Sequence, residues 1–211
     1  MTTTALRADA QRNLVRVLDA AREVFAEQGI DAPVTDIADR AGVGVATIFR
    51  RFPTKDDLLA AVVEQRTEQM IEAADVALES SDPGAALRRF METVTSMQVS
   101  DVCWCEAAGT GLFDRDGIRE LTDVLVGKIG ELLTRAQTAG QVRSDLRALD
   151  IPVLLMAVAT SGLMLEDAVP GAWKRYLGII LDGLRPEAAR PLPRRPLSRR
   201  EFESARHSQT S

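Results

Sequence analysis

The stretch TDIADRAGVGVATIFRRFPTK, residues 35–55, decides the fold of this chain. It predicts two short helices joined by a turn, because Thr35 is a good N-cap and Gly42 tolerates the positive φ of a helix end. The second helix is predicted from about Val45 to Phe52, and Pro53 stops it. Two short helices joined by a glycine turn form a helix-turn-helix motif, whose second helix enters the major groove of DNA.

The outward face of the second helix has the chemistry that DNA requires. It carries Gly44, Thr47, Arg50 and Arg51, and the run from Gly42 to Lys55 contains no carboxylate. A helix in the major groove has to donate hydrogen bonds to base edges and tolerate the phosphates beside them. We therefore expect this face to contact DNA rather than to be an ordinary solvated helix surface.

The overall charge of −5 is not typical of a DNA-binding protein, but the charges are unevenly distributed. Residues 1–66 are nearly neutral, with nine basic and ten acidic side chains. Residues 67–184 carry ten basic and eighteen acidic side chains, whereas residues 185–211 carry seven and three. An acidic body discourages non-specific adhesion while a local positive field remains at the motif. The net charge therefore does not exclude DNA binding.

Composition and periodicity predict an all-α protein of about nine helices. Apolar residues make up 45% of the chain and aromatic residues 4%, and no segment alternates with a period of two. A first helix, about Gln11 to Gln28, completes a three-helix DNA-binding domain over residues 1–53. A long helix capped by Thr54 leads into a helical bundle over residues 54–184, which we expect to bind a ligand and to dimerise.

The end of the chain is predicted to serve two different purposes. The helices at 151–165 and 172–184 are the most apolar in the chain, and nearly all faces of the first are apolar or small, so we expect them to form a four-helix homodimer interface. Residues 185–211 contain four prolines and seven arginines and are expected to be disordered. This basic tail could be an inert solubilising segment, or it could add non-specific DNA affinity through counterion release.

Nothing in the sequence predicts catalysis, a cofactor or a bound metal. No Ser/His/Asp set, phosphate loop or dinucleotide turn is present. Asp56 and Asp57 suit the first turn of a helix, where the dipole favours anions. Cys103 and Cys105 are too few for a disulfide framework, and helical residues two apart point in nearly opposite directions. We expect these cysteines to pack as small hydrophobes, with metal or redox sensing as the alternative.

We expect a cytoplasmic protein that does not cross a membrane. No apolar run approaches the roughly 18 residues of a membrane span, and the N-terminus lacks a signal-peptide pattern.

The chain resembles the TetR family of transcriptional regulators. The resemblance is carried by VFAEQG at the end of the first helix, by TDIADRAGVGVATIFRRF, and by PTKDDLL at the start of the long helix. It is dense from about Leu14 to Val63; beyond that, only the layout of further helices is similar. It implies a homodimer that binds a roughly palindromic double-stranded DNA operator and releases it when a small-molecule effector enters the C-terminal domain. The sequence leaves open whether the output is repression or activation.

The resemblance also implies roles for individual residues. Those expected to contact bases or phosphates are Thr35, Gly44, Val45, Thr47, Phe49, Arg50, Arg51 and Lys55. Thr35 and Lys55 match phosphate contacts at two helix starts. Phe49 stands where the family usually has a tyrosine, and Gly44 where serine is common, so two hydroxyls are missing.

Adaptable apolar side chains in the C-terminal domain are candidate contacts for an effector. Trp104 is expected to line a ligand cavity, and Met70, Phe90, Met91, Met97 and Phe113 could join it, although each could equally be plain core. The alternative function is a helical ligand-binding protein or enzyme in which the N-terminal unit is only structural. Such a protein would have no need of the acid-free cationic run from Gly42 to Lys55.

Overall fold

The structure is a computed structural model that describes residues 3–99 and 111–207. Within those ranges it contains nine α-helices, two short 3-10 helices and no strand. The predicted all-α fold is confirmed. The α-helices are α1 (Thr3–Gln28), α2 (Val34–Ala41), α3 (Val45–Arg51), α4 (Lys55–Leu78), α5 (Pro83–Val99), α6 (Asp116–Thr138), α7 (Asp150–Leu165), α8 (Trp173–Gly183) and α9 (Arg199–His207). The 3-10 helices are Leu112–Asp114 and Pro186–Ala188.

The apolar faces of these helices form two separate clusters, here called the N-terminal core and the C-terminal core. The N-terminal core joins α1, α2 and α3 to the first half of α4, with Phe25, Ile37 and Ile48 fully enclosed. The C-terminal core joins the second half of α4 to α5, α6, α7 and α8. The two clusters therefore divide within α4, whereas a domain boundary at residue 53 stays a prediction.

The N-terminal core also receives side chains from far along the chain. Leu112, Phe113 and Ile118 lie immediately before α6 or in its first turn, and all three are buried in this core. The segment at the start of α6 therefore supports the N-terminal unit as well as belonging to the C-terminal bundle.

Two helix starts differ from the expectation. The α1 helix begins at Thr3 rather than near Gln11. The residue that precedes α2 is Pro33, with extended backbone at φ −72° and ψ 145°, so Thr35 lies in the first turn and is not the N-cap. Proline supplies the required φ without a side-chain cap, and the Asp36 N–H donates to the Pro33 carbonyl at 3.1 Å.

The expected disorder of residues 185–211 is corrected where the structure forms Pro186–Ala188 and α9. Ser198 and Glu201 make a reciprocal capping box: the Ser198 N–H donates to Glu201 Oε2 at 2.9 Å, and the Glu201 N–H donates to Ser198 Oγ at 3.3 Å. The sequence Ser-Arg-Arg-Glu carries the S-x-x-E signature of this motif, which composition alone conceals.

No helix in the described ranges is long and apolar enough to cross a membrane.

The packing of α7 depends on a glycine that approaches two neighbouring helices. A Cβ built on Gly162 would lie 2.8 Å from Val99 Cγ2 of α5 and 3.0 Å from Trp173 Cβ of α8. Both distances are too short for ordinary contact, so a larger residue would push these helices apart. Gly127 on α6, in contrast, has open space where a Cβ would be.

We expect Gly162→Ala to lower the free energy of unfolding by about 1–3 kcal/mol, because it overpacks a helix junction. Gly127→Ala is the matched control and should raise it by about 0.5–1 kcal/mol, because it only removes backbone freedom from an exposed helix. Urea denaturation monitored by circular dichroism measures both changes. Equal effects of the two substitutions would contradict the close approach at Gly162.

Candidate DNA-binding surface

The recognition helix α3 is short and anchored on one side. Ile48 and Phe52 are buried in the N-terminal core, while Phe49, Arg50 and Arg51 are exposed. Gly44 precedes the helix with extended backbone, and its carbonyl accepts from the Thr47 N–H at 2.8 Å. The buried pair sets the rotation of the helix, so the remaining side chains point away from the core.

The turn before α3 has the geometry predicted from its glycine. Gly42 has φ 65°, in the left-handed region, and the Val43 N–H donates back to the Ala38 carbonyl at 3.0 Å. Arg16 of α1 donates from Nη2 to the Ala41 carbonyl at 2.8 Å and thereby satisfies an otherwise free group at the end of α2. The angle between α2 and α3 is therefore held both by the turn and by α1.

An ion-pair cluster fastens α2 to α1 on the outside. Arg40 donates to Glu27 Oε2 at 2.7 Å and to Glu23 Oε2 at 3.2 Å. The hydrogen bond from Arg40 holds the pKa of Glu27 below its usual value. Arg40 is thus engaged within the protein, although it lies in the same motif as the predicted DNA contacts.

The cations predicted to face DNA are not engaged in this way. The side chains of Arg50, Arg51 and Lys55 make no hydrogen bond or ion pair with any residue in the described ranges. Arg50 and Arg51 are exposed and Lys55 is half-buried. Three available cations therefore lie at the end of α3 and at the first residue of α4.

Two helix N-termini flank this cationic surface. Thr35 is exposed in the first turn of α2, and its hydroxyl donates to Asp36 Oδ1 at 3.2 Å. Lys55 is the first residue of α4. A helix N-terminus offers free N–H groups and the positive end of the helix dipole, which together favour an anion such as a phosphate.

The start of α4 carries a complete capping box. The Asp57 N–H donates to Thr54 Oγ1 and the Thr54 N–H donates to Asp57 Oδ2, both at 3.1 Å. The predicted cap at Thr54 is confirmed. The hydrogen bond from the Thr54 hydroxyl and, after it, one from Arg115 hold the pKa of Asp57 below its ordinary value.

Arg115 is a site residue that the sequence analysis did not identify. Its Nη2 donates to Asp57 Oδ1 at 3.0 Å, and its Nη1 lies 3.4 Å from the Asp56 carbonyl oxygen. The pair joins the residue before α6 to the start of α4, across 58 positions of sequence. Asp57 in a helix first turn was visible in the sequence, but no local pattern points to its distant partner.

The predicted effector contacts do not form one group. Met70, Phe90 and Met91 are buried in the C-terminal core, and Met97 packs against it. Phe90 and Met97 also line an open groove of about 390 Å³ between α4 and α5. Phe113 belongs to the N-terminal core. Trp104, with Cys103 and Cys105, lies outside the described residues.

A three-helix unit that presents a short, cationic second helix defines a helix-turn-helix DNA-binding protein. Comparison with known proteins gives the family. The profile of bacterial regulatory proteins of the TetR family matches residues 17–62, and that of the C-terminal domain of SbtR-like transcriptional regulators matches residues 82–186. The chain belongs to the TetR family of transcriptional regulators.

Individual relatives agree with this assignment. An HTH-type transcriptional regulator of Mycobacterium tuberculosis is 30% identical over 151 residues, which cover 69% of this chain and 78% of that protein. The transcriptional repressor LfrR of Mycolicibacterium smegmatis is 35% identical over 99 residues, 44% of this chain and 50% of that protein. The crystal structure of a TetR regulator from Mycobacterium vanbaalenii superposes with a TM-score of 0.65 at 36% identity, covering 85% of this chain and 99% of that one.

We expect Asp57→Asn to lower the melting temperature more than Asp56→Asn does at neutral pH. Both substitutions remove one charge from the first turn of α4, but only Asp57 serves the capping box and Arg115. Because the pKa of Asp57 is lowered by folding, its stabilising effect is present above the ordinary carboxyl pKa and is lost as the pH falls through the lowered value.

Calorimetric scans of the two variants between about pH 7 and pH 3 test this. The difference between their melting temperatures should be largest at neutral pH and shrink towards the acid end. A difference that is absent at pH 7, or that grows on acidification, would refute the role given to Asp57.

Proposed function

We propose that this regulator acts in the cytoplasm as a homodimeric repressor that binds a roughly palindromic operator and releases it when a small molecule binds the C-terminal unit. The observation that carries the proposal is the surface formed by α3 and the start of α4. It combines Arg50, Arg51 and Lys55, all without a partner in the described ranges, and it has no carboxylate from Gly42 to Lys55. Double-stranded DNA is the partner that suits such a surface.

The proposed DNA contacts fall into two groups. Thr35 and Lys55, at two helix N-termini, are assigned to phosphates, since those positions favour anions. Gly44, Val45, Thr47, Phe49, Arg50 and Arg51, at or near α3, are assigned to the major groove and its edges. Gly44 and half-buried Val45 allow close approach, and Phe49 offers an exposed ring for apolar contact, for example with a thymine methyl group.

An exposed apolar surface on α7 and α8 supports dimerisation through these helices. Met164 is 82% exposed and Ile179 57%, and Met156 and Tyr176 are also exposed. Exposed apolar side chains concentrated on two neighbouring helices indicate a protein interface. We assign this surface to the homodimer contact at 151–165 and 172–184, which would place two copies of α3 about 34 Å apart on successive major grooves.

The groove between α4 and α5 is the site we propose for the effector. Its apolar lining includes Phe90, Met97 and Val76, with polar side chains at the rim, and its volume of about 390 Å³ suits a small molecule. A ligand wedged there would displace α4 relative to α5. By linkage, effector and operator then weaken each other's binding by the same factor, whichever is titrated first. Repression rather than activation is supported by the similarity to the repressor LfrR.

We expect Arg50→Ala and Arg51→Ala each to weaken operator binding by about 1–3 kcal/mol. The arginine that reads a base should also relax specificity at one operator position, whereas one that contacts a phosphate should lower affinity evenly and reduce the salt slope by about 1. Arg88→Ala on α5 is the matched control, because it removes the same charge from a helix of the C-terminal core.

Fluorescence anisotropy titrations against the DNA upstream of the coding region, repeated over a salt series and with single-base operator variants, measure these effects. The wild-type protein should bind in a salt-sensitive, sequence-dependent manner. If it does not bind there or at neighbouring promoters, or if Arg88→Ala weakens binding as much as the α3 variants do, the proposed interface is wrong.

Ile179→Glu should convert the dimer to monomers, raising the dissociation constant by roughly a hundredfold or more, since an unpaired charge in an interface costs several kcal/mol. Val76→Glu on α4 introduces the same charge at a side chain that is 70% exposed but lies outside the α7–α8 surface. Sedimentation velocity over a concentration series compares the two. A dimer that survives Ile179→Glu but not Val76→Glu would place the interface elsewhere.

A further inference from the structure

The α9 helix is joined to α6 by an ion pair and shares a cavity with it. Arg199 forms an ion pair with Asp123 of α6 and donates from Nε to Glu203 of its own helix at 2.8 Å. These two carboxylates, Glu203 first, raise the pKa of the Arg199 guanidinium. The contact joins residues 76 positions apart, so it fixes the tail to the body of the protein.

The tail is also attached where it leaves α8. Arg143 donates from Nη2 to the Arg190 carbonyl at 2.7 Å, and its Nε is held by Asp145 at the same distance. The Arg143 N–H donates to the Leu184 carbonyl at 2.9 Å. Residues 184–207 are therefore tied to the body at both ends.

Beneath α9 is a mainly apolar cavity of about 380 Å³. The body contributes Phe113, Val126 and Leu149 to its walls, and the tail contributes Phe202. Phe202 is half-buried there, although it belongs to an otherwise strongly polar helix. An aromatic side chain turned towards an apolar wall, with an ion pair at the rim, is the arrangement of a docked helix rather than of a helix in solvent.

Hydrogen bonds within the tail stabilise the first turn of α9. Besides the capping box with Ser198, Glu201 receives a hydrogen bond from Arg195 at 2.6 Å, and these contacts lower the pKa of Glu201. A helix of nine residues is nevertheless too short to be stable alone in water. Its formation therefore depends on contacts with the rest of the chain, among them the ion pair between Arg199 and Asp123 of α6.

The charges of tail and body are complementary. Residues 185–211 have four more basic than acidic side chains, while residues 67–184 have an excess of eight acids. The profile of the C-terminal domain ends at residue 186, so α9 lies beyond the part that the profile matches. The docked helix is thus an addition to the matched domain, attracted to it by charge.

The docking surface lies next to the contact that fixes the start of α4. Phe113 lines the cavity and is also buried in the N-terminal core. Two residues further on, Arg115 binds Asp57 in the capping box of α4. The 112–123 segment therefore connects α9 to the DNA-binding unit through the buried side chains of Leu112, Phe113 and Ile118 and through the Arg115–Asp57 ion pair.

We propose that α9 is an intramolecular clasp whose docking on α6 holds the 112–123 segment against the N-terminal core. The segment that docks on this surface of α6 is the chain's own α9 helix. With the clasp closed, the start of α4 and the neighbouring α3 keep the orientation seen in the structure. With the clasp open, the 112–123 segment is free to shift. The effect on DNA affinity rests on the proposed function, but the docking itself does not.

Hydrogen–deuterium exchange of the full-length protein tests the docking without DNA. Arg199→Glu replaces the attraction to Asp123 by repulsion and should speed exchange roughly fivefold or more in α9 and in residues 112–123. Arg200→Glu is the matched control: it makes the same charge change one residue away, at an exposed arginine whose side chain makes no hydrogen bond or ion pair with a described residue. Its exchange should equal that of the wild type.

Exchange of a variant in which the two charges of the ion pair are swapped is the decisive measurement. The double variant Arg199→Glu/Asp123→Arg should return both segments to wild-type exchange. The clasp is overturned if Arg199→Glu behaves like Arg200→Glu, if the double variant does not recover, or if α9 opens while residues 112–123 are unchanged. Operator titrations of the same proteins form a separate arm. If the wild type binds no DNA, the proposed function fails while the exchange result stands.

Discussion

The whole structure depends on how α4 is held, because this helix is part of both hydrophobic cores. At its start, Arg115 binds Asp57 within the capping box. At its end, Arg135 donates to the Leu78 and Ser80 carbonyls, at 2.5 and 2.9 Å. Both arginines flank the same helix, since Arg115 precedes α6 and Arg135 lies in its last turn. Arginines at the two ends of α6 therefore bind the two ends of α4. These ends are about 36 Å apart, because α4 has 24 residues.

Because α4 belongs to both cores, it links the DNA-binding unit to the C-terminal bundle. A packed helix behaves as a rigid element, so a change beside its second half moves its first half as well. The first half of α4 is buried against α1 and α3 in the N-terminal core. The orientation of α3 is consequently tied to the packing of the C-terminal core, and any ligand that prefers one arrangement of α4 and α5 has an effect on the DNA-binding surface.

Local sequence predicted most of the helical layout, and distant contacts account for what it missed. Gly42 predicted a left-handed turn and Thr54 predicted a helix cap, and the structure has both. The prediction that Thr35 is an N-cap is wrong, because Pro33 occupies that position and Thr35 already lies in the first turn of α2. The pairing of Asp57 with Arg115 could not be predicted, because no periodicity relates residues 58 positions apart.

The tail shows the limits of composition in another way. Its prolines and arginines predicted disorder. The tail nevertheless forms a helix, which is stabilised by the capping box of Ser198 and Glu201 and by the ion pair of Arg199 with Asp123. Those partners also bear on its proposed affinity for DNA. Arg185, Arg195 and Arg199 pair with carboxylates of this chain, so their charge is already compensated. Since counterion release requires cations that meet phosphates, a docked tail adds less non-specific affinity than its seven arginines suggest. Arg50 and Arg51 at the end of α3 and Lys55 at the start of α4 make no ion pair with a described residue, so they attract DNA to the surface that can read sequence.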